Sequence, residues 1–85
     1  MDINRQVDIM KALGDVTRLV IVKELSRYKS LNCSKLSERF DLTQPTLSHH
    51  FKRLIEVDVI IAKKEGTHMI YSLNKELLKN CGVTF

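Results

Sequence analysis

Along this chain apolar residues recur first at helical and then at strand spacing. Over Met1 to Leu13, the residues Ile3, Val7, Met10 and Leu13 follow at three- and four-residue intervals, which predicts an amphipathic helix ended by Gly14. Asp15 can cap a second helix from Val16 to about Tyr28. Its apolar set Leu19, Val20, Val22 and Leu25 is broad enough to predict burial on more than one side. Lys29 to Leu31 reads as a short link. A third helix is expected from Asn32 or Cys33 through Phe40, anchored by Leu36 and Phe40. Asp41-Leu42-Thr43 then connects tightly to a fourth helix, Gln44 to about Glu56. Thr43 is its cap, Pro45 sits in its first turn, and Leu47, Phe51 and Leu54 form its core stripe.

After this helix the period changes. Val59 to Lys63 and His68 to Leu73 read as strands flanking Lys64-Glu65-Gly66-Thr67, with Met69, Tyr71 and Leu73 alternating against His68, Ile70 and Ser72. Gly66 can supply the positive φ of the turn. Asn74 or Lys75 to Cys81 gives a short final helix containing Leu77 and Leu78. The fold predicted is mainly α with a small β-hairpin, in the order α-α-α-α-β-β-α. That is a winged helix-turn-helix, with its helix pair at about 32–57 and its wing at about 59–73, in a single domain over 1–85.

Composition narrows the function. Eighty-five residues fit one core, 44% hydrophobic residues make it globular, and the formal net charge of +4 favours an anionic partner. The fourth helix sharpens this, because its outward positions Gln44, Thr46, Ser48, His49, Lys52 and Arg53 carry no carboxylate until Glu56. Such a face suits phosphates and base edges. Tyr28, Phe40, Phe51 and Tyr71 stand at core-periodic positions and Phe85 is terminal, so no aromatic platform for single strands is expected. Neither a Gly-rich phosphate loop, a shared carboxylate pair nor a nucleophile–base arrangement occurs, which argues against an enzyme and against a cofactor. Ser48 and His49 are helical neighbours whose side chains diverge. The charged residues Asp2, Arg5, Asp8 and Lys11 do not fit a signal peptide, and the longest apolar run, Val59 to Ala62, is too short to span a membrane. A cytoplasmic protein with reduced Cys33 and Cys81 is expected.

The phrase KALGDVTRLVIVKEL, Lys11 to Leu25, resembles the ALxDxTRLxIL opening of ArsR/SmtB-type transcriptional repressors. LSERFDLTQPTLSHHFKRLIEVDVI resembles that family's helix-turn-helix, and KKEGTHMIYSLN its wing, so the similarity covers roughly Met10 to Asn74. The resemblance implies a prokaryotic homodimeric repressor of double-stranded operator DNA. Carried over by position, Gln44, Thr46, Ser48 and His49 would read the major groove, with Thr43 at the helix start and Lys52 and Arg53 on phosphates. Lys63, Lys64 and Thr67 would lie along the wing (63–68), on the backbone or minor groove. The first and last helices would build the dimer through Ile3, Val7, Met10, Leu77 and Leu78. That arrangement sets the recognition helices about 34–36 Å apart on a palindromic site.

The resemblance does not extend to a sensor. Where metal-sensing members carry CxC, this chain has Asn32-Cys33-Ser34, and KELLKNC holds no Asp or His for the other common metal site. His49 and His50 diverge by about 100° on a helix, so no shared metal is expected there; His50 is expected at the helix–helix seam. No metal site or inducer is assigned. The competing reading is a winged-helix module whose basic helix docks an acidic protein partner.

Overall fold

The computed structural model describes the chain from Met1 to Phe85, the side chain of Cys33 excepted. Five helices and three short strands follow in the order α1 (Ile3–Leu13), α2 (Val16–Leu25), β1 (Leu31–Asn32), α3 (Cys33–Phe40), α4 (Gln44–Glu56), β2 (Ile60–Glu65), β3 (His68–Leu73) and α5 (Lys75–Asn80). This is a winged helix-turn-helix.

Each helix starts where a side-chain oxygen can take an orphan backbone N–H. Asp2 accepts from the Asn4 N–H at 2.9 Å and Asp15 from that of Arg18 at 3.0 Å. Asn32 accepts from the N–H of Lys35 at 2.8 Å, and Asn74 from that of Leu77 at 3.2 Å. The end of α4 is as definite. Asp58 takes the left-handed conformation (φ +64°), its N–H donates to the Ile55 carbonyl at 2.9 Å, and the Val59 N–H reaches back to Leu54 at 3.0 Å. This double closure, a Schellman motif, turns the chain from α4 straight into the wing.

The core is one cluster drawn from every helix and from the base of the wing. Ile9, Ala12, Ile21, Val22, Leu25, Leu36, Leu47, Phe51, Leu54, Val59, Ile60 and Leu78 are all buried. Phe51 stacks on Tyr71 with ring centroids 4.4 Å apart, which fixes the wing against α4. Between α2 and α3, Arg39 bonds Glu24 at 2.6 Å and lays its guanidinium 4.5 Å over the ring of Tyr28.

Four sequence-based expectations are corrected. A third strand completes the sheet: Leu31 and Asn32 pair antiparallel with Tyr71 and Ile70, giving the order β1-β3-β2. Two residues are too few to show a period, so this segment reads as a link in the sequence. Helix α2 ends at Leu25 rather than near Tyr28, because Arg27 and Tyr28 bond only three residues back, to Glu24 and Leu25. Leu19 and Val20 are exposed, and α2 buries Ile21, Val22 and Leu25 instead. The wing strands run closer to their turn than expected, with Glu65 opposite His68, leaving Gly66 (φ +62°) and Thr67 as a two-residue hairpin turn. Among the described residues, no helix is long and apolar enough to cross a membrane.

Candidate nucleic-acid interface

Helix α4 is amphipathic at the spacing read from the sequence. Leu47, Phe51 and Leu54 are buried, while Thr43, Gln44, Thr46, Ser48, His49 and Lys52 are exposed. The first turn holds no acidic residue. The cap is a small network: the Thr43 Oγ1 accepts from the Thr46 N–H at 3.4 Å and donates to the Thr46 hydroxyl at 2.9 Å. Thr43 and Thr46 therefore share a local bond, whereas Gln44, Ser48, His49 and Lys52 extend from the outward face into solvent. Arg53 is half-buried and stands 3.6 Å from Glu56, so its charge is partly directed along its own helix.

Lys63, Lys64 and Thr67 are all exposed on the wing. Lys63 pairs with Ile70 and Lys64 with Met69, which puts the two lysines on opposite faces of the hairpin. Beside the expected Gln44 and Thr67, the structure also gathers residues that sequence reasoning had not assigned to the site. A cleft between α3, the start of α4 and the wing turn is lined by Asn32, Ser34, Gln44, Thr67, His68 and Tyr71, among others. No Asp or Glu lines it. No local sequence signal exposes it, because the cleft forms only when β1 pairs with β3 and brings the start of α3 beside the wing.

The proposed dimer residues divide. Ile3, Val7 and Met10 are 70%, 43% and 42% exposed, off the core face that α1 forms with Ile9, Ala12 and Leu13. Leu77 is half-buried, and Leu78 at 2% exposure is already enclosed in the protomer's own core. Gln6 ties α1 to the end of α5 by donating to the Cys81 carbonyl at 3.1 Å.

Among the described residues, no group of three His, Cys, Asp or Glu side chains gathers as a metal site would require. The Asn32 carboxamide is engaged as the cap of α3. Cys81 is a buried free thiol; the expectation of a reduced thiol at Cys33 falls on a side chain outside the described residues. His49 and His50 stand with ring centroids 5.7 Å apart at 65°, an edge-to-face contact.

The sequence pattern of bacterial regulatory proteins of the arsR family matches residues 15–62, which hold α2, the whole helix-turn-helix and the start of the first wing strand. The chain belongs to the arsR family. Among arsR-family relatives, it is 41% identical over 70 residues to the arsenical resistance operon repressor of Staphylococcus xylosus, covering 82% of this chain and 66% of that repressor. It thus spans slightly less than two thirds of that protein. The transcriptional repressor SdpR of Bacillus subtilis (strain 168) is 30% identical over 73 residues, 86% of this chain and 80% of SdpR. Among solved structures, the transcriptional repressor PagR of Bacillus anthracis superposes with a TM-score of 0.81 at 26% identity, covering 92% of this chain and 88% of PagR. These arsR-family relatives are transcriptional repressors and not enzymes.

Proposed function

We propose that this protein is a cytoplasmic transcriptional repressor that binds a palindromic double-stranded operator as a homodimer. The observation that carries the reading is the outward face of α4, exposed and without a carboxylate from Gln44 as far as Glu56 in its last turn, on a helix whose opposite stripe is locked into the core. Gln44 has the chemistry to bond adenine N6 and N7 bidentately, while Ser48 and His49 offer further contacts to base edges. Lys52, Lys63 and Lys64 neutralise phosphates, and the exposed Ile3, Val7 and Met10 meet their counterparts across the two-fold axis. None of the relatives favours docking of an acidic protein partner.

Selection of duplexes from a randomised pool tests this reading. The wild-type protein should enrich a palindrome, and its affinity should fall linearly in log–log form with salt. Gln44→Ala should reduce discrimination at one base pair of each half-site by about 1–3 kcal/mol. Lys64→Ala should weaken all sequences alike and make the salt slope shallower by about one for each phosphate it no longer neutralises. Failure to enrich any sequence at moderate salt would sink the proposal.

A further inference from the structure

A cavity of about 230 Å³ lies between the end of β3, α5 and the tail that follows it, and no residue of α4 lines it. Leu73, Leu78, Val83 and Phe85 supply its apolar lining. The tail is held in place as one of its walls. Gly82 takes the left-handed conformation (φ +88°), its N–H donates to the Lys79 carbonyl at 3.1 Å, and the Val83 N–H reaches the Leu78 carbonyl at 2.8 Å. This closure of α5 folds Val83 back against the core. The charge of the cavity comes from Lys75 and Lys79, one turn apart on the same face of α5. Both are exposed, and neither enters an ion pair among the described residues. No Asp or Glu lines the cavity, and Glu76 stands about 100° round the helix from Lys75. Like charges at this spacing repel, so the pair favours an anion between them.

We propose that this cavity binds a small amphipathic carboxylate, with its hydrocarbon chain against Leu73, Leu78, Val83 and Phe85 and its charge between the ammonium groups of Lys75 and Lys79. The inference goes beyond the DNA-binding reading and does not rest on it. Ligand sites combine a mainly apolar lining with a few polar groups that fix orientation, and this cavity has both parts. Its volume lies below the range of about 300–1,000 Å³ usual for drug-sized ligands, which suits a short acyl chain rather than a nucleotide or a peptide. Lysine brings a point charge on a flexible stem, without the planar fork that recognises phosphate bidentately. A neutral hydrocarbon would leave the two ammonium groups unmatched, and a bare inorganic anion would leave the apolar wall uncovered. A second copy of the chain need not close the site. Leu77, the exposed-side candidate for a dimer contact on α5, lies about 160° round the helix from both Lys75 and Lys79.

Sodium octanoate is the probe, kept below its micelle-forming concentration and titrated into isotope-labelled protein at about pH 7.5, where carboxylate and lysines are all charged. Amide chemical shifts should move saturably at Leu73, along α5 and through the tail to Phe85, with a Kd of about 1 mM or below. Octanol carries the same chain without the charge, and inorganic phosphate a charge without the chain. Each should bind at least about tenfold more weakly than octanoate. Lys75→Gln combined with Lys79→Gln keeps the exposed face of α5 polar, and should weaken octanoate about tenfold while leaving octanol unchanged. Phe85→Ser, at a position 50% exposed, should weaken octanoate and octanol alike. Absence of saturable shifts at these residues would overturn the proposal. So would octanol or phosphate binding as tightly as octanoate, or an octanoate affinity unchanged in the double lysine variant. No DNA enters the measurement, so its outcome is independent of whether the protein enriches a duplex.

Discussion

Asp15 shows how one side chain can serve two neighbours. Its carboxyl is held below its ordinary value of 3.8, first by the Arg18 backbone N–H and then by the positive charges of Arg18 and His50, against an opposing desolvation effect. A carboxyl whose folded value is depressed stabilises the native state fully above its ordinary value. That contribution disappears as the pH falls through the folded value. Urea midpoints taken from neutral pH into the region below 3.8 should therefore fall more steeply for the wild type than for Asp15→Asn. Parallel curves would show that the cap charge does not contribute. Single residues also mark the limits of sequence reading. The Thr43 cap and the Leu47–Phe51–Leu54 stripe are legible because each has a local signature. The meeting of His50 with Asp15 spans thirty-five positions and has none.

At the scale of elements, the recognition helix is legible with its observed bounds because a cap, an N-terminal proline and a regular stripe agree along it. β1 is not legible, because its two residues become a strand only when β3 arrives beside them. The outward turn of Leu19 and Val20 escapes sequence reasoning for a related reason. An all-apolar helix face has no period to say which side the core takes, so tertiary packing decides. The wing turn rests on Gly66 at φ +62°, where a Cβ would meet nothing within 4 Å. The cost of a side chain there is conformational, not steric crowding. Gly66→Val should lower stability by about 1–2 kcal/mol and Gly66→Asn by clearly less, since Asn tolerates the left-handed region. Urea denaturation of the two variants checks the order; equal losses would point to a turn that rearranges.

For the whole molecule, the open question is what covers the exposed side of α1. Ile3, Val7 and Met10 lie on one stripe at helical spacing, yet the protomer buries α1 through Ile9, Ala12 and Leu13. A second copy supplying the same stripe would remove this apolar surface from water in a self-complementary contact. Charging it with Val7→Asp and Met10→Asp together should convert a dimer to a folded monomer in analytical ultracentrifugation. Operator affinity should fall at least about tenfold, because two half-sites are then no longer engaged by one linked body. Retention of the dimer by this variant would place the interface elsewhere. Leu78 is a poor choice for the same test, since at 2% exposure its truncation would unfold the protomer before it separated two of them.

The short strand β1 also bears on how the molecule assembles in time. The β2–β3 hairpin closes across a two-residue turn and α4 forms from local contacts, so both are kinetically inexpensive. Pairing Leu31 with Tyr71, by contrast, joins positions about forty apart and encloses the entire helix-turn-helix in one loop. Loop-closure entropy makes this pairing costlier to form than the hairpin or α4, so it is expected to follow them. The two-residue seam thus acts as a clasp that holds the start of α3 to the wing, while the stacking of Phe51 on Tyr71 holds α4 to it.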